Sequence, residues 1–361
     1  MTQWSEKGHL QREALLYNKL AERGIKTTFI TYGSHEDYKW KNYFHQDIKI
    51  IPVYTKLKYS KYNILNILKS LLIPFLLKSE IHKSTILKTN QLWGGWVPLL
   101  IKWFYKKPLI VRCGYEYLKF LVFQNKPAIK IKFVKLLSGL IYKNANKIIV
   151  ASPDDKDFIE KTFRGVSAEI IVKTNWIDTN IFRIKKVKNI KNKILFVGRL
   201  NQQKNIPFLF NALKGLDISL DIIGDGDQKN HLLALAKDKN INVNFLGTVP
   251  NSEMPKIYSK YPIYVLCSKY EGNPKTLLEA MACGLLVIGT DVPGINSIII
   301  NNVNGFLVKD YNELRDTVKN LALDNFTNEI VSRNAREYIV KNCSLNNYVT
   351  SEIKTYIEFT G

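Results

Sequence analysis

The sequence predicts an α/β protein built from two doubly wound domains. Short apolar segments that end in Gly, Asn, Ser or Asp alternate along the chain with longer segments of helical periodicity. Nearly continuous apolar strands that alternate with helices are typical of parallel sheets covered by helices on both faces. The length of 361 residues also exceeds one ordinary domain and fits two of middling size.

Six segments in each half of the chain have the composition of buried strands. In the first half they are residues 27–33, 48–53, 84–90, 108–114, 147–152 and 169–175. In the second half they are residues 193–199, 220–226, 243–249, 263–270, 285–291 and 306–310. In proteins of this architecture the ligand is expected in the crevice between the domains, at the carboxyl ends of the strands.

The charged segment at residues 183–193 lacks a bulky apolar cluster and is interpreted as a linker. We therefore expect a strongly basic N-terminal Rossmann-like domain at residues 1–182. A C-terminal Rossmann-like domain is expected at residues 194–340. Residues 341–361 are expected to form a C-terminal helix, for which packing back on the N-terminal domain is one option.

The net charge of +22 comes from the first half of the chain. Residues 1–200 hold 37 basic and 14 acidic side chains, whereas residues 201–361 hold 16 and 17. A codon bias toward lysine should act on both halves alike, so we favour a functional origin. Membrane headgroups, nucleic acid or a phosphorylated substrate are the anionic partners that such a surplus suits.

Lysines lie beside apolar and aromatic residues in three segments of that half, residues 64–77, 93–105 and 128–143. Basic amphipathic helices with aromatic residues are typical of proteins that dock on an anionic membrane surface. The alternative is that each helix faces the core and its lysines are solvated. The segment at residues 64–77 is too short and too often interrupted to span a bilayer.

The four cysteines form no CxxC pair and have no histidine cluster beside them, so no zinc site is expected. They are interpreted as buried thiols of a reducing compartment. Residues 1–8 contain no apolar run, so no signal peptide is expected either. The expected location is cytoplasmic.

The segment at residues 270–284, YEGNPKTLLEAMACG, carries the most chemical information. Asn273 suits the N-cap of a helix, Pro274 suits its first position, and Gly284 suits its end. The first N–H groups of a helix have no helical partner and form an anion site that suits phosphate. Here these groups belong to Lys275, Thr276 and Leu277.

Two glutamates bracket this anion site. Glu271 precedes the helix, and Glu279 lies in its second turn, roughly 8 Å along the axis from the helix start. A nucleotide-sugar has that layout, with a sugar on one side of a diphosphate and a ribose on the other. Carboxylates accept paired hydrogen bonds from sugar hydroxyls. The alternative is that Glu279 is a capping or surface residue and Glu271 an ordinary loop charge.

Two cations follow the strand at residues 193–199. Arg199 ends that strand and Lys204 comes five residues later. Fixed positive charge at the end of a strand can neutralise a diphosphate leaving group, although two solvated surface cations are the alternative. Asp225 and Asp227 form a DxD pattern, but the glycines of the same segment explain it as a tight turn. We therefore expect no metal site.

The motifs VGRLNQQKN, IIGDGD, FLGTVP, the E-x7-E element of Glu271 and Glu279, VIGTDVPG and NGFLV occur in this order. Their order resembles that of the GT-B glycosyltransferases of family 4. The resemblance covers residues 193–310 closely and residues 171–182 more weakly. It implies a retaining transferase that binds a nucleotide-sugar at its C-terminal domain and that needs no cofactor or metal.

The resemblance also implies roles for individual residues. Arg199 and Lys204 would bind the donor diphosphate, Glu271 the hydroxyls of the donor sugar, and Glu279 the ribose hydroxyls. The remaining donor-binding positions would be Gly198, Gly224, Val249, Asn273, Pro274, Lys275, Thr276 and Leu277. The mechanism that the resemblance implies is front-face attack by the acceptor hydroxyl, with the leaving diphosphate helping to take its proton.

The N-terminal half departs from the family pattern in two ways. Family members open with a strand before a glycine-containing loop, but here Lys7 and Gly8 already stand at the position of that loop. The first strand is apparently missing, so either the true start lies upstream, which we favour, or one position of the sheet is unfilled. A histidine that many members carry after the strand at residues 108–114 is also absent.

We expect the acceptor to bind at the N-terminal domain. The residues expected to line that side are Lys7, Gly8, Asn90, Gln91, Arg112 and Tyr115, and ordinary loop polarity is the alternative for the last four. The predicted protein is a glycosyltransferase of the hexosyl type, peripheral on the inner face of the cytoplasmic membrane. It would use a UDP- or GDP-sugar and a glycan or lipid-linked acceptor in surface polysaccharide or lipopolysaccharide biosynthesis, with no nucleic acid partner. A non-catalytic basic protein that binds membrane or nucleic acid is the alternative.

Overall fold

Parallel β-strands flanked by α-helices form both halves of the chain in the computed structural model, which describes residues 1–6, 10–185, 192–321 and 325–360. The chain divides into two units. An N-terminal unit contains Met1–Val150, Lys156–Val172 and Tyr348–Gly361. A C-terminal unit contains Ala151–Asp155 and Lys173–Asn347. Residues 186–191 of the expected linker lie outside the described residues.

The strands of the N-terminal unit pair in parallel and lie in two pieces. The first piece is a pair of strands, and the second is a sheet with the order β3-β4-β5-β6. The strands are β1 (Thr27–Thr31), β2 (Ile48–Pro52), β3 (Leu87–Lys88), β4 (Leu109–Cys113), β5 (Lys147–Val150) and β6 (Glu169–Val172). No strand precedes β1 in the described residues.

Two of the helices in the first part of the chain precede these strands, and the others lie between or after them. They are α1 (Thr2–Glu6), α2 (Leu10–Ala21), α3 (Asn63–Ser70), α4 (Ile73–Leu76), α5 (Lys78–Lys83), α6 (Trp96–Tyr105), α7 (Tyr117–Phe123), α8 (Ala128–Lys143) and α9 (Pro153–Thr162). Among the residues described, no helix is long and apolar enough to cross a bilayer.

The C-terminal unit contains a six-stranded parallel sheet with the order β12-β11-β10-β7-β8-β9. Its strands are β7 (Lys193–Val197), β8 (Ser219–Ile223), β9 (Val243–Gly247), β10 (Ile263–Leu266), β11 (Leu286–Thr290) and β12 (Phe306–Val308). The remaining helices are α10 (Ile206–Leu213), α11 (Lys229–Asp238), α12 (Met254–Tyr258), α13 (Lys275–Ala282), α14 (Tyr311–Leu321), α15 (Asn325–Asn342) and α16 (Leu345–Ile357).

Each of the twelve segments expected to be strands contains one, and the predicted α/β fold with parallel sheets is confirmed. In the C-terminal unit the central strands are buried on both faces, because helices cover both sides of the sheet. The strand order reverses between β7 and β10, which lie side by side. Such a switch point is where doubly wound sheets bind ligands, beyond the carboxyl ends of the strands.

Candidate active site

The loops that follow β7 and β10 bring Lys204 and Glu271 together. The Lys204 ammonium forms an ion pair with the Glu271 carboxylate, and both side chains are largely buried. Ser268 donates a hydrogen bond of 2.6 Å from its Oγ to the same carboxylate. The Nε2 of Gln203 lies 3.5 Å from its other oxygen. The structure therefore joins two residues that lie far apart in the sequence, at the switch point of the sheet.

Burial of this pair has an energetic consequence. A charge removed from water is costly unless it is paired and hydrogen-bonded, and here each charge neutralises the other. Glu271 is not an ordinary loop charge, since three side chains hold it in place. Arg199, which follows β7, is exposed and adds a second cation at the same strand end.

Glu279 is buried on α13 and is held by side chains from α12 and the loop before it. The hydroxyl of Tyr258 donates to one carboxylate oxygen at 3.1 Å, and Nδ2 of Asn251 lies 3.3 Å from the other. Burial and the nearby carboxylate raise the pKa of Tyr258 well above its ordinary value, so the phenol keeps its proton. The alternative of a surface or capping glutamate does not fit this environment.

Helix α13 begins at Lys275 with Pro274 as its N-cap, one position later than the sequence indicated. Asn273 does not cap the helix, because its side chain bonds elsewhere. Its Oδ1 accepts a hydrogen bond of 2.9 Å from the backbone N–H of Asn175. The side-chain Nδ2 of Asn175 donates to the carbonyl of Asn273 at 2.8 Å. The two asparagines thus fix each other at the start of the helix.

The amide nitrogen of the Asn273 side chain has no hydrogen-bond partner, although the residue is only 7% exposed. A buried N–H group without a partner is costly and calls for an explanation, such as a ligand that accepts its hydrogen bond. It stands two residues before Lys275, where the first N–H groups of α13 also have no helical partner. These donors together fit an anionic ligand such as phosphate.

The other positions at the helix start are held by the core of the C-terminal unit. The Oγ1 of Thr276 accepts a hydrogen bond of 2.8 Å from the hydroxyl of Tyr264. Leu277 is fully buried, and Val249 is half-buried against the same core. The backbone of α13 is therefore anchored while its N-terminal N–H groups remain available.

The glycines after β7 and β8 permit a close approach of two backbones. Gly224 has a φ of +137°, and a Cβ on it would lie 1.9 Å from the carbonyl oxygen of Gly198. A Cβ on Gly226 would lie 2.3 Å from the carbonyl oxygen of Leu200. This contact explains the glycines of the IIGDGD segment as a turn. Within the described residues no group of three or more His, Cys, Asp or Glu side chains could hold a metal ion.

The residues expected on the acceptor side have different environments. Lys7 and Gly8 lie outside the described residues. Gln91 and Tyr115 are exposed, and the side chain of Gln91 lies against Gly114. Asn90 is half-buried, and its Oδ1 lies 3.3 Å from Nη1 of Arg112.

The placement of Arg112 in the loop after β4 is wrong. Arg112 lies within that strand and is buried, and its Nε donates a hydrogen bond of 3.1 Å to the hydroxyl of Tyr348 on α16. A strand covered on both faces buries both of its side-chain rows, so a polar residue within it needs an internal partner. Tyr348 provides that partner, and Arg112 is a structural residue of the N-terminal unit.

Sequence reasoning missed the residues that hold the glutamates and Asn273 in place. These are Asn175, Gln203, Asn251, Tyr258 and Ser268. Gln203 and Ser268 lie inside or beside the recognised motifs, and their nearness to Lys204 and Glu271 was the available signal. Asn175 offered no such signal, because its contact with Asn273 joins residues 98 positions apart.

Comparison with known proteins gives relatives of both the sequence and the fold. Residues 178–338 match the family model described as glycosyl transferases group 1. That segment contains Lys204, Glu271 and Glu279. A solved sucrose-phosphate synthase from Thermosynechococcus elongatus superposes with a TM-score of 0.79 at 18% identity, covering 96% of this chain and 92% of that one. The fold is the GT-B fold, and the match to glycosyl transferases group 1 supports the predicted enzyme class.

Individual relatives make the likeness more specific. An uncharacterized glycosyltransferase of Methanocaldococcus jannaschii is 29% identical over 218 residues, which cover 58% of this chain and 55% of that protein. The chain thus spans about half the length of this relative.

Two further matches have names that include a substrate or a bound ligand. The first is a UDP-Gal:alpha-D-GlcNAc-diphosphoundecaprenol alpha-1,3-galactosyltransferase of Escherichia coli, 28% identical over 65% of this chain and 66% of that protein. The second is an Anabaena protein in complex with UDP and glucose, with a TM-score of 0.75 at 15% identity and 96% coverage of both chains.

Proposed function

We propose that the protein is a retaining glycosyltransferase of family 4 that transfers a hexose-type sugar from a UDP- or GDP-sugar. The acceptor is a glycan or a lipid-linked molecule of surface polysaccharide or lipopolysaccharide biosynthesis. The observation that carries this proposal is the arrangement of Lys204 and Glu271 beside the start of α13, with Glu279 buried in its second turn. The match to glycosyl transferases group 1 and the named relatives support it.

On this proposal the diphosphate of the donor binds at the N-terminus of α13. The free N–H groups of the helix and the unpartnered amide of Asn273 donate to its oxygens. Lys204 and Arg199 neutralise its charge, so no metal is required. Glu271 accepts hydrogen bonds from the sugar hydroxyls and Glu279 from the ribose hydroxyls.

The proposed reaction needs no strong base from the protein. The acceptor oxygen attacks the anomeric carbon from the face that the diphosphate leaves, forming one carbon–oxygen bond as the other breaks. The proton of the acceptor hydroxyl passes to the leaving diphosphate oxygen. The protein accelerates the reaction by positioning both substrates and by placing fixed positive charge beside the leaving group.

We also propose that the N-terminal unit docks on an anionic membrane. Helix α8 exposes an apolar stripe of Ile129, Phe133, Leu136 and Leu140. The exposed lysines Lys130, Lys132 and Lys135 lie on the same helix. Helices α3 and α4 add further exposed leucine, isoleucine and phenylalanine side chains. An exposed apolar surface flanked by lysines is complementary to anionic lipid, and the Escherichia coli relative acts on a lipid diphosphate by its name.

The test of the catalytic proposal uses Glu271→Gln and Lys204→Ala in the full chain. A panel of UDP- and GDP-sugars is screened for release of nucleoside diphosphate, with a membrane lipid extract as the source of acceptor. We expect each variant to lose turnover by about a hundredfold or more, because the lost group acts on the leaving group or the reacting sugar. Circular dichroism checks that the fold is retained.

The matched controls are Glu253→Gln and Lys256→Ala, which change exposed residues of the same unit. Both are expected to keep the turnover of the native chain. Turnover of Glu271→Gln or Lys204→Ala within twofold of the native value would remove the site assignment. UDP or GDP should also raise the unfolding temperature of the native chain, because a ligand that binds only the native state stabilises it.

A further inference from the structure

Exposed or half-buried aromatic side chains follow each of the first four strands of the N-terminal unit. Tyr32 follows β1, Tyr54 follows β2, Trp93 follows β3 and Tyr115 follows β4. Tyr32, Trp93 and Tyr115 are exposed, and Tyr54 is half-buried. The carboxyl ends of parallel strands are the binding edge of an α/β sheet. Large aromatic rings are costly to leave in water, so their repetition at this edge suggests a ligand.

Contacts of four aromatic residues or of their sequence neighbours link the two pieces of the sheet at this edge. We call Tyr32, Tyr54, Tyr59 and Trp93 the aromatic belt. A Cβ on Gly94 would lie 3.6 Å from the ring of Tyr32, so Tyr32 of the first piece contacts the residue beside Trp93 of the second. The rings of Tyr54 and Tyr59 meet edge to face with their centroids 4.9 Å apart.

The local backbone holds the belt in place. The carbonyl of Gly33 accepts a hydrogen bond of 2.9 Å from the N–H of Tyr54, which links the segments after β1 and β2. Trp93 is supported by Trp96 and Tyr117, whose ring centroids lie 5.6 and 6.1 Å away. Belt rings are therefore anchored by neighbours while Tyr32, Tyr59 and Trp93 keep about half of their surface open.

The chemistry of the belt separates it from the apolar surface of α3 and α8. That surface is made of leucine, isoleucine and phenylalanine, which provide apolar contacts for a lipid chain. Three of the four belt residues are tyrosines, whose hydroxyls donate and accept hydrogen bonds that an apolar ligand cannot form. A sugar ring uses both parts, since its C–H face packs on the negative face of an aromatic ring and its hydroxyls bond to phenols and amides. The amide of the exposed Gln91 lies at the same strand edge.

From these contacts we infer that the aromatic belt binds a saccharide, the sugar portion of the acceptor. The inference rests on the proposed function and adds to it that the acceptor already carries at least one sugar ring before transfer. An acceptor with only a lipid and a phosphate has no ring to stack on Tyr32 and Trp93.

The test uses the fluorescently labelled full chain on a printed array of oligosaccharides. The variants are Tyr32→Ala, Trp93→Ala and Tyr32→Phe. The matched control is Tyr311→Ala, which removes a tyrosine of the C-terminal unit with 44% exposure, against 48% for Tyr32. We expect the native chain and Tyr311→Ala to bind at least one class of oligosaccharide. Tyr32→Ala and Trp93→Ala should each weaken that binding by about tenfold, and Tyr32→Phe should keep most of it because the ring remains.

Two outcomes would overturn the inference. One is a native chain that binds no oligosaccharide on the array, and the other is a pair of alanine variants that bind as well as the native chain. Flotation with vesicles of anionic lipid tests the competing occupant, because a belt that serves the membrane would lose flotation and not oligosaccharide binding in the alanine variants.

The thermal shift with UDP keeps this inference separate from the proposed function. A chain that UDP stabilises but that binds no oligosaccharide retains the donor site and contradicts the belt assignment alone. Absence of stabilisation by every UDP- and GDP-sugar counts against the proposed function instead.

Discussion

Asn273 shows how single residues of the candidate site depend on contacts that the sequence does not reveal. Sequence reasoning made Asn273 the N-cap of α13, since asparagine is a preferred N-cap residue. In the structure its side chain is fixed by Asn175, and its amide nitrogen is left as a buried donor. The residue types of the site were predictable from local motifs. The partners that orient them were not, because such contacts depend on the path of the whole chain.

A substitution at Asn175 tests this orientation. Asn175→Ala removes the hydrogen bond to the carbonyl of Asn273 but keeps the one from the backbone N–H of residue 175 to its Oδ1, so Asn273 is held less firmly. We expect the KM for the nucleotide-sugar to rise about fivefold, because one hydrogen bond within a fixed network is lost. The value of kcat should change less, since Glu271 and Lys204 remain in place. Steady-state kinetics with varied donor measures both.

Asn304→Ala is the matched control for loss of a buried asparagine. Asn304 is buried in the same unit, and its side chain bonds to the main chain of Ile300 and Ile298. Both variants should lose about 1–2 kcal/mol of unfolding free energy, but only Asn175→Ala should change the donor KM. Equal donor KM values in the two variants would show that Asn175 is merely structural.

At the level of elements, α8 illustrates what periodicity can and cannot reveal. The sequence indicated a helix at residues 128–143, and the structure has one with those bounds. Apolar residues occupy both of its faces, so the pattern alone left open which face meets the core. Val134, Ile141 and Tyr142 are buried, whereas Ile129 and Leu136 are more than 70% exposed. The packing of neighbouring helices decides which face of α8 is buried, and that packing depends on contacts between distant segments.

The exposed stripe of α8 predicts how the chain partitions onto lipid. Ile129→Ser combined with Leu136→Ser should reduce flotation with anionic vesicles by about tenfold, because two apolar side chains are no longer available for burial. Replacement of Lys130, Lys132 and Lys135 by Gln should reduce it further and weaken its salt dependence. The fold should be unaffected, since the changed side chains are exposed.

The control for this experiment is Leu233→Ser combined with Leu246→Ser, two exposed apolar residues of the C-terminal unit. Flotation of the control should equal that of the native chain. Unchanged flotation of the α8 variant at low ionic strength would refute docking through this stripe.

For the whole molecule, the sequence was a reliable guide to the fold class and a poor one to strand order and contacts between distant residues. All twelve strands were predictable because the strands of parallel sheets covered by helices form short apolar runs in the sequence. The order in which they pair was accessible only through the family resemblance, since hydrogen-bonded ladders have no local signature. The loop position expected for Arg112 was wrong for the same reason. A charged residue within such a run is buried only when a distant group such as Tyr348 pairs with it.

The buried cysteines of the C-terminal unit predict how the free energy of unfolding changes with pH. Burial raises the pKa of Cys267 and Cys283 to about 12 and that of Cys343 to about 11, all above the ordinary thiol value. Their folded state therefore favours the neutral thiol. The stabilisation is complete below the unfolded pKa and is lost as the pH rises above about 9, by about 1.4 kcal/mol per pH unit for each thiol.

Urea unfolding between about pH 7 and about pH 10.5 measures this loss. The midpoint should be nearly constant at first and then fall steeply above about pH 9. In Cys343→Ala the fall should be less steep, because one group that must ionise on unfolding has been removed. A midpoint that does not change up to about pH 10.5 would contradict the assignment of neutral buried thiols.

A molecule that enters the site must replace the contacts that Lys204 and Glu271 make with each other. On the proposed roles, a free diphosphate pairs with Lys204 and leaves Glu271 without its cation. A free sugar bonds to Glu271 and leaves Lys204 without its anion. Either leaves one buried charge without its counter-ion, which offsets part of the free energy that the partial contact returns. An intact nucleotide-sugar replaces both partners in one event. The paired charges thereby bias the site against fragments of its own substrate, including the nucleotide product it must release.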